Sequence, residues 1–189
     1  MPIKLNTASG GGVILTGANT ASDKTITVPA ADGNMQLIQQ STAVTASGTS
    51  VDFTGIPSWV KRITVMFNGV STNSTSPIQV QLGTSGGVET TGYATSTWTA
   101  NTNNTNYTSG FVVRIGAAAA MTLSGHVMLT LLGSNAWVGS GVMGRTDAAD
   151  TSVYGGNKTL SGTLDRVRIT TVNGTDTFDA GTINIMYEG

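Results

Sequence analysis

Apolar and polar side chains alternate with a period of two along several segments of this chain. In segment 62–70, Ile63, Val65 and Phe67 fall on one face, and the residues between them fall on the other. The same alternation recurs in segments 77–83, 110–116, 123–131, 167–169 and 183–187. Because successive side chains of a strand point to opposite faces, this pattern predicts half-buried antiparallel strands.

Turn-forming residues separate these segments, and no segment keeps a helical period. Asn68-Gly69 and Asn173-Gly174 are typical of tight turns, as are the glycine pairs at 86–87 and 155–156. The chain is also rich in Ser, Thr and Gly, with 25 glycines, which favours strands joined by turns. We therefore predict an all-β fold, an antiparallel β-sandwich of about eight strands with a jelly-roll-like arrangement.

Two segments, 92–109 and 145–158, are predicted to be long loops. The first carries Tyr93, Trp98 and Tyr107 among Thr and Asn residues. Aromatic faces can stack on the apolar faces of sugars, but we favour the interpretation that they anchor a loop or a contact between subunits. Because long ordered loops are often functional, both segments are candidate sites.

The sequence of the first 40 residues predicts an arm that is separate from the sandwich. They contain two short strand-like segments, 13–16 and 25–28, separated by small polar residues. So few apolar side chains cannot offset the conformational entropy lost on ordering the segment. We expect residues 1–40 to be held by other chains and residues 41–189 to form the head, with segment 35–43 linking the two.

Charge and cysteine content narrow the classes of partner. The net charge is -1 and only 10% of the residues are charged, so no electrostatic attraction to nucleic acid or an anionic membrane is expected. With no cysteine, disulfides and thiolate metal sites are excluded. The sequence has no span of 18 apolar residues, so no membrane-spanning helix is expected. The first residues do not resemble a secretory signal. If the protein acts outside the cell that produces it, we expect it to be released by lysis or as part of a particle.

No catalytic, cofactor or metal site is predicted. His126 is the one histidine and lies within a predicted strand, without the Gly-x-Ser-x-Gly turn of many hydrolases. Residues 139–144 match the Gly-x-Gly-x-x-Gly pattern, yet no amphipathic helix follows, so we interpret the match as chance. A glycosidase pair among the ten carboxylates is left open but disfavoured, because most of them lie in turns or at strand ends.

The chain resembles bacteriophage fibres and related virion structural proteins. Residues 10–35, GGGVILTGANTASDKTITVPAADGNM, resemble a module common in phage fibres, with a Gly-rich turn, an apolar strand and a Thr-rich strand ending in Val-Pro. Segments 51–67, 81–93 and 164–181 are similar to the head-like domains of such proteins. The resemblance covers most of the chain, although there is room for only one shaft module, which favours a short fibre or a decoration protein over an extended fibre.

The resemblance implies a homotrimer whose arms interlock and attach to other phage structural proteins of the tail, baseplate or capsid. The expected trimer and anchor contacts are Val13, Ile14, Leu15, Ile26, Val28 and Pro29. The heads would contact a host surface glycan or protein, for which the segment with Tyr93, Trp98 and Tyr107 is the candidate. The alternatives are a capsid decoration, cement or head-fibre protein that stabilises the shell and, less favoured, a glycan-cleaving tailspike.

Overall fold

All regular secondary structure in the described part of the chain is β-strand, which confirms the all-β prediction. The computed structural model describes the strands at 3–6 and 12–15 and residues 37–100, 104–119 and 121–189. Within these ranges it contains no helix that could cross a bilayer. The chain divides into two compact units, Met1–Met35 and Gln36–Gly189.

The first unit contains an antiparallel hairpin of β1 (Ile3–Asn6) and β2 (Gly12–Leu15), in which Leu5 lies opposite Val13. The predicted strand at 13–16 overlaps β2, so Val13, Ile14 and Leu15 are strand residues. The other predicted strand, 25–28, lies outside the described residues, as do Ile26, Val28 and Pro29.

The described residues of the second unit form fourteen strands, β3 to β16. They are β3 (Ile38–Gln40), β4 (Val44–Thr45), β5 (Ser50–Phe53), β6 (Arg62–Thr72), β7 (Ile78–Thr84), β8 (Gly87–Val88), β9 (Tyr93–Thr99), β10 (Thr105–Tyr107), β11 (Phe111–Val112), β12 (Leu123–Gly133), β13 (Ala136–Arg145), β14 (Asp150–Thr159), β15 (Arg166–Thr171) and β16 (Phe178–Glu188). Nine strands form a large sheet in the order β10-β9-β14-β13-β12-β6-β16-β3, with β4 also paired to β16. Five form a small sheet in the order β11-β7-β15-β5, with β8 paired to β7.

The strand order is that of a jelly roll. In the large sheet β3 neighbours β16 and β6 neighbours β12, while in the small sheet β5 neighbours β15 and β7 neighbours β11. The first of these eight strands thus pairs with the last, the second with the second-last, and so on toward the middle. This nesting is what results when one long antiparallel ribbon rolls into two facing sheets. The topology therefore agrees with the jelly-roll-like sandwich predicted from the sequence.

Two additions widen the large sheet beyond the eight-strand roll. β13 and β14 extend it past β12, and the hairpin β9–β10 continues it to the edge. These strands cover β11, which lies at the edge of the small sheet. The Thr97 hydroxyl donates a 2.7 Å hydrogen bond to the Val112 carbonyl, and the Ser152 hydroxyl donates a 2.8 Å bond to the Val113 carbonyl. Buried polar side chains of the added strands thus satisfy carbonyls that would otherwise lack partners.

The core lies between the two sheets, with the inward-facing positions of both contributing to it. Val65 and Leu129 from the large sheet and Val80 and Ile169 from the small sheet are fully buried. The predicted segments 62–70, 77–83, 123–131, 167–169 and 183–187 lie in strands except for Pro77, and their alternating apolar residues form much of this core. Hydrophobic burial of this kind is the main favourable contribution to folding.

The structure corrects the loop predictions. Segment 92–109 contains β9 and β10, and segment 145–158 is a four-residue turn at 146–149 followed by most of β14. Segment 110–116 is a strand only at Phe111–Val112. In the expected linker at 35–43, Ile38–Gln40 pairs with β16, so the sandwich begins before residue 41.

A partly buried ion pair ties the large sheet to the segment after β8. Lys158 on β14 is almost fully buried, and its ammonium lies 2.6 Å from a carboxylate oxygen of Glu89. The same carboxylate accepts hydrogen bonds from the backbone N–H and the hydroxyl of Ser161, at 2.8 and 2.6 Å. Partial burial by itself would raise the pKa of Glu89, but the bonds from Lys158 and Ser161 outweigh it and lower the pKa to about 2.

Acid should therefore weaken the fold through Glu89. Because its pKa is below the ordinary value of 4.5, the carboxylate stabilises the folded chain above that pH. This contribution is lost as the pH falls from about 4.5 to 2. We expect urea midpoints to fall over this range, and to fall less steeply for Glu89→Gln than for the wild type. Thr90→Ala, a neutral exposed change, is the control, and equal slopes for Glu89→Gln and the wild type would contradict the prediction.

Candidate interaction surface

A row of side chains crosses the outer face of the large sheet. Trp98 on β9 lies opposite Val153 on β14, which in turn lies opposite Val142 on β13. Val142 lies opposite His126 on β12, and His126 lies opposite Met66 on β6. Directly opposed side chains have Cβ atoms about 4.5–5.5 Å apart, so the row is continuous over five strands.

Two more apolar side chains widen this row. Met128 follows His126 by two residues and Val138 precedes Val142 by four, so both point outward. Together with three members of the row they form a set of large apolar side chains, each between 37% and 48% exposed, which we call the apolar outer face: Trp98, Met128, Val138, Val142 and Val153. A contiguous exposed patch of this kind is typical of an interaction site rather than of random surface variation.

The apolar outer face contains no charge. The other outward positions of β9, β12, β13 and β14 are small or polar and include Ala94, Ser96, Thr130, Ser140, Thr151, Gly155 and Asn157. The Lys, Arg, Asp and Glu residues of β6, β12 and β13 are confined to strand ends, at Arg62 and Arg145. These two form ion pairs with Glu188 and Asp147. The middle of the sheet thus offers apolar contact and neutral hydrogen-bonding groups.

Sequence reasoning missed this face because it lies largely on strands that were not predicted. β13 alternates Trp137 and Met143, which are buried, with Val138 and Val142, which are exposed, but glycines interrupt the pattern. The available signal was the apolar run 136–138, which Val142 and Met143 follow within a strand's length. The Gly-x-Gly-x-x-Gly match at 139–144 lies inside this strand.

The structure places the predicted contact residue Tyr93 in the core. Its side chain is 3% exposed, and its ring meets the edge of Phe111 with the centroids 5.4 Å apart. The phenol accepts a 2.7 Å hydrogen bond from the Leu82 N–H and donates one of 2.9 Å to the Glu89 carbonyl. Burial raises the pKa of the Tyr93 phenol well above its ordinary value. Tyr93 therefore links the two sheets and is not a surface contact residue.

Trp98 and Tyr107 lie on opposite sides of the hairpin that carries them. Trp98 points outward, whereas Tyr107 lies opposite Thr95, which points inward. The three predicted aromatic residues thus do not form one platform. Tyr107 is half-buried, and burial raises the pKa of its phenol.

Tyr107 borders a groove at the edge of the large sheet with a volume of about 400 Å³. Residues 93–96 of β9, Asn106, Tyr107 and Thr108 at β10, and Gly155 of β14 line it. None of these side chains is charged, and the buried Thr95 hydroxyl has no hydrogen-bond partner among the described residues. An aromatic ring beside neutral hydrogen-bonding groups suits an uncharged polar ligand.

The described residues contain no cluster of His, Asp and Glu side chains that could hold a metal ion. The expected anchor residues Val13, Ile14 and Leu15 lie in the hairpin of the first unit. Comparison with protein-family models, curated proteins and solved structures finds no match for this chain.

Proposed function

We propose that this chain is a bacteriophage virion structural protein, a short homotrimeric tail fibre that attaches through its N-terminal unit and presents its sandwich to the host surface. The observation that carries the proposal is the division of the chain into Met1–Met35, with a hairpin of its own, and the jelly-roll unit Gln36–Gly189. This division parallels the anchor-and-head organisation implied by the resemblance of residues 10–35 to phage-fibre modules.

Adhesion in this proposal is non-covalent binding rather than catalysis. The groove beside Tyr107 is the candidate receptor contact, because it combines an aromatic ring with Asn106 and lacks charge. Three such grooves on one trimer would bind a host surface glycan or protein with avidity far above that of a single site. The protein would act in the virion, after assembly in the host cytoplasm and release by lysis.

Deletion of residues 1–35 tests the anchor. We expect the shortened protein to be absent from purified particles, since the expected anchor contacts Val13, Ile14 and Leu15 are removed. Quantitative mass spectrometry of the particles measures incorporation, and far-UV circular dichroism checks that the deleted protein keeps its β structure. Wild-type levels of a deleted, folded protein on particles would overturn the anchor assignment.

Tyr107→Ala tests adhesion and serves as the matched control, because it leaves the N-terminal unit intact. We expect normal incorporation but at least a tenfold slower adsorption of particles to host cells. The alternative is a decoration, cement or head-fibre protein that stabilises the capsid. That role predicts unchanged adsorption for Tyr107→Ala and fragile particles when the whole protein is missing.

A further inference from the structure

We infer that a polar groove on the outer face of the small sheet binds an uncharged saccharide. The inference goes beyond the proposed function, whose candidate receptor contact lies on the large sheet beside Tyr107. The polar groove has a volume of about 280 Å³. Sites for small ligands usually measure about 300–1,000 Å³, so this one suits a mono- or disaccharide better than a long chain.

The floor of the polar groove is a block of outward-facing side chains on two paired strands. Gln79 and Gln81 on β7 alternate with core residues of the same strand, so they face away from the core. On β15, Thr170 lies opposite Gln79 and Arg168 lies opposite Gln81. Opposed side chains of antiparallel strands are close neighbours, so these polar groups lie side by side and can act on one ligand.

The two glutamines are held in place far more firmly than surface glutamines usually are. Gln79 is 2% exposed and Gln81 is 4% exposed, whereas glutamine is a mostly exposed residue in proteins. The Gln81 amide donates a 2.8 Å hydrogen bond to the Ser109 carbonyl, and the Ser109 hydroxyl donates one of 2.8 Å to the Gln79 amide oxygen. The Gln79 amide also donates to the Thr171 carbonyl at 3.2 Å. Both amides are therefore oriented before a ligand arrives, which lowers the entropic cost of binding.

Hydrogen-bonding groups remain unused at the centre of this floor. The Gln81 Oε1 atom has no hydrogen-bond partner among the described residues. Arg168 donates to both carboxylate oxygens of Asp52 from Nε and Nη2, at 2.7 and 2.8 Å, which leaves Nη1 for a ligand. Arg168 is the one charged residue among the described residues that line the groove, and Asp52 compensates its charge. The groove thus presents an acceptor next to donors without net charge.

This combination matches the hydroxyl groups of a sugar. A hydroxyl both donates and accepts, so neighbouring hydroxyls can donate to Gln81 Oε1 and accept from Arg168 Nη1. An anionic ligand gains little, because Asp52 already pairs with the guanidinium, and an apolar ligand would leave these groups without partners. A peptide that adds a strand needs an open sheet edge, whereas β7 and β15 are paired on both sides.

Nuclear magnetic resonance of the full-length, ¹⁵N-labelled protein tests the inference. The probes are four neutral disaccharides that differ in linkage and in hydroxyl orientation: maltose, cellobiose, lactose and N,N′-diacetylchitobiose. We expect at least one of them to give saturable shifts of the side-chain amide signals of Gln79 and Gln81. Gln81→Met, which keeps the length of the side chain but removes its amide, should raise the Kd by about tenfold or more. Leu132→Ala, an exposed change on the large sheet, is the control and should leave the Kd unchanged.

A second variant separates loss of binding from loss of structure, because Gln81→Met also removes the bond to Ser109. Thr90 is exposed and lines the polar groove, so Thr90→Trp should block the groove while the core stays intact. Circular dichroism checks the fold of both variants.

Absence of shifts with all four disaccharides would overturn the inference, and so would shifts that persist unchanged in both variants. Larger shifts with anionic sialyllactose or with a pentaserine peptide than with any neutral disaccharide would overturn the class of ligand. None of these results bears on the anchor or on the groove beside Tyr107, which the deletion of residues 1–35 and Tyr107→Ala test on particles.

Discussion

Phe111→Ala is expected to lower the free energy of unfolding by about 3–5 kcal/mol, the usual cost of removing a buried aromatic side chain. Phe111 is fully buried at the edge of the small sheet, where its ring contacts Tyr93 edge-on. The change leaves a cavity between the two sheets and removes this aromatic pair, which contributes beyond its buried area. Equilibrium denaturation in urea, followed by circular dichroism, measures the loss.

Leu132→Ala is the control, because Leu132 is 77% exposed and its truncation should cost less than about 0.5 kcal/mol. A cost below about 1 kcal/mol for Phe111→Ala would show that Phe111 does not fill the core as described.

The position of Phe111 also depends on a glycine in the facing strand. A Cβ atom added at Gly139 would lie 2.7 Å from the Phe111 ring, much closer than carbon atoms normally approach. Gly139→Ala should therefore cost about 1–3 kcal/mol through overpacking. In the Phe111→Ala background the same change should cost clearly less, because the ring that it meets is gone. Additive costs in this cycle would contradict direct contact between the two positions.

The second large effect is expected for Lys158→Ala, which should cost about 3 kcal/mol. Loss of one partner from a buried ion pair typically costs about 3–5 kcal/mol because the remaining charge is left uncompensated. We expect the lower end of this range, since Glu89 keeps both hydrogen bonds from Ser161. The ammonium also lies 5.4 Å from the centre of the Tyr93 ring, a cation–π contact that is lost with it.

A double-mutant cycle separates the stability contributed by the Glu89–Lys158 ion pair from that contributed by the other contacts of Lys158. Glu89→Gln combined with Lys158→Met should cost less than the sum of the two single changes, because no unpaired charge remains. Lys61→Ala, at an exposed position, is the control and should change stability by less than about 0.5 kcal/mol. Full additivity in the cycle would argue against coupling between Glu89 and Lys158.

Prediction from the sequence was most successful for the strands whose inner face is apolar. In β6 the buried residues Ile63, Val65 and Phe67 alternate with more exposed ones, and in β12 Val127 and Leu129 do the same. For such strands, burial on one side and solvent on the other impose a period of two on the sequence. The turn at Asn173-Gly174 was identified for a related reason, since Gly174 has a positive φ angle. The turns predicted at Asn68-Gly69 and Gly155-Gly156 were wrong, because these pairs lie inside β6 and β14, the first of them beside an irregularity in the strand register.

The strands β9 and β14 and most of β13 escaped detection because their inner positions are not uniformly apolar. β9 buries Thr95, Thr97 and Thr99, whose polar side chains resemble those of a loop in the sequence. Thr97 is nevertheless suited to the interior, because its hydroxyl bonds to the Val112 carbonyl of a strand more than a dozen residues away. Such a partner cannot be identified from the local sequence, so the polar run was interpreted as a loop.

The sequence by itself determined the fold class and the location of much of the core, because both depend on local alternation between neighbouring residues. Only the tertiary structure decided the jelly-roll order, the burial of Tyr93 and the assembly of the apolar outer face. That face joins Trp98, Val153, Val142 and Met128 from four strands, and their adjacency depends on strand register. Register is set by pairing between distant segments, which leaves no period in any one of them.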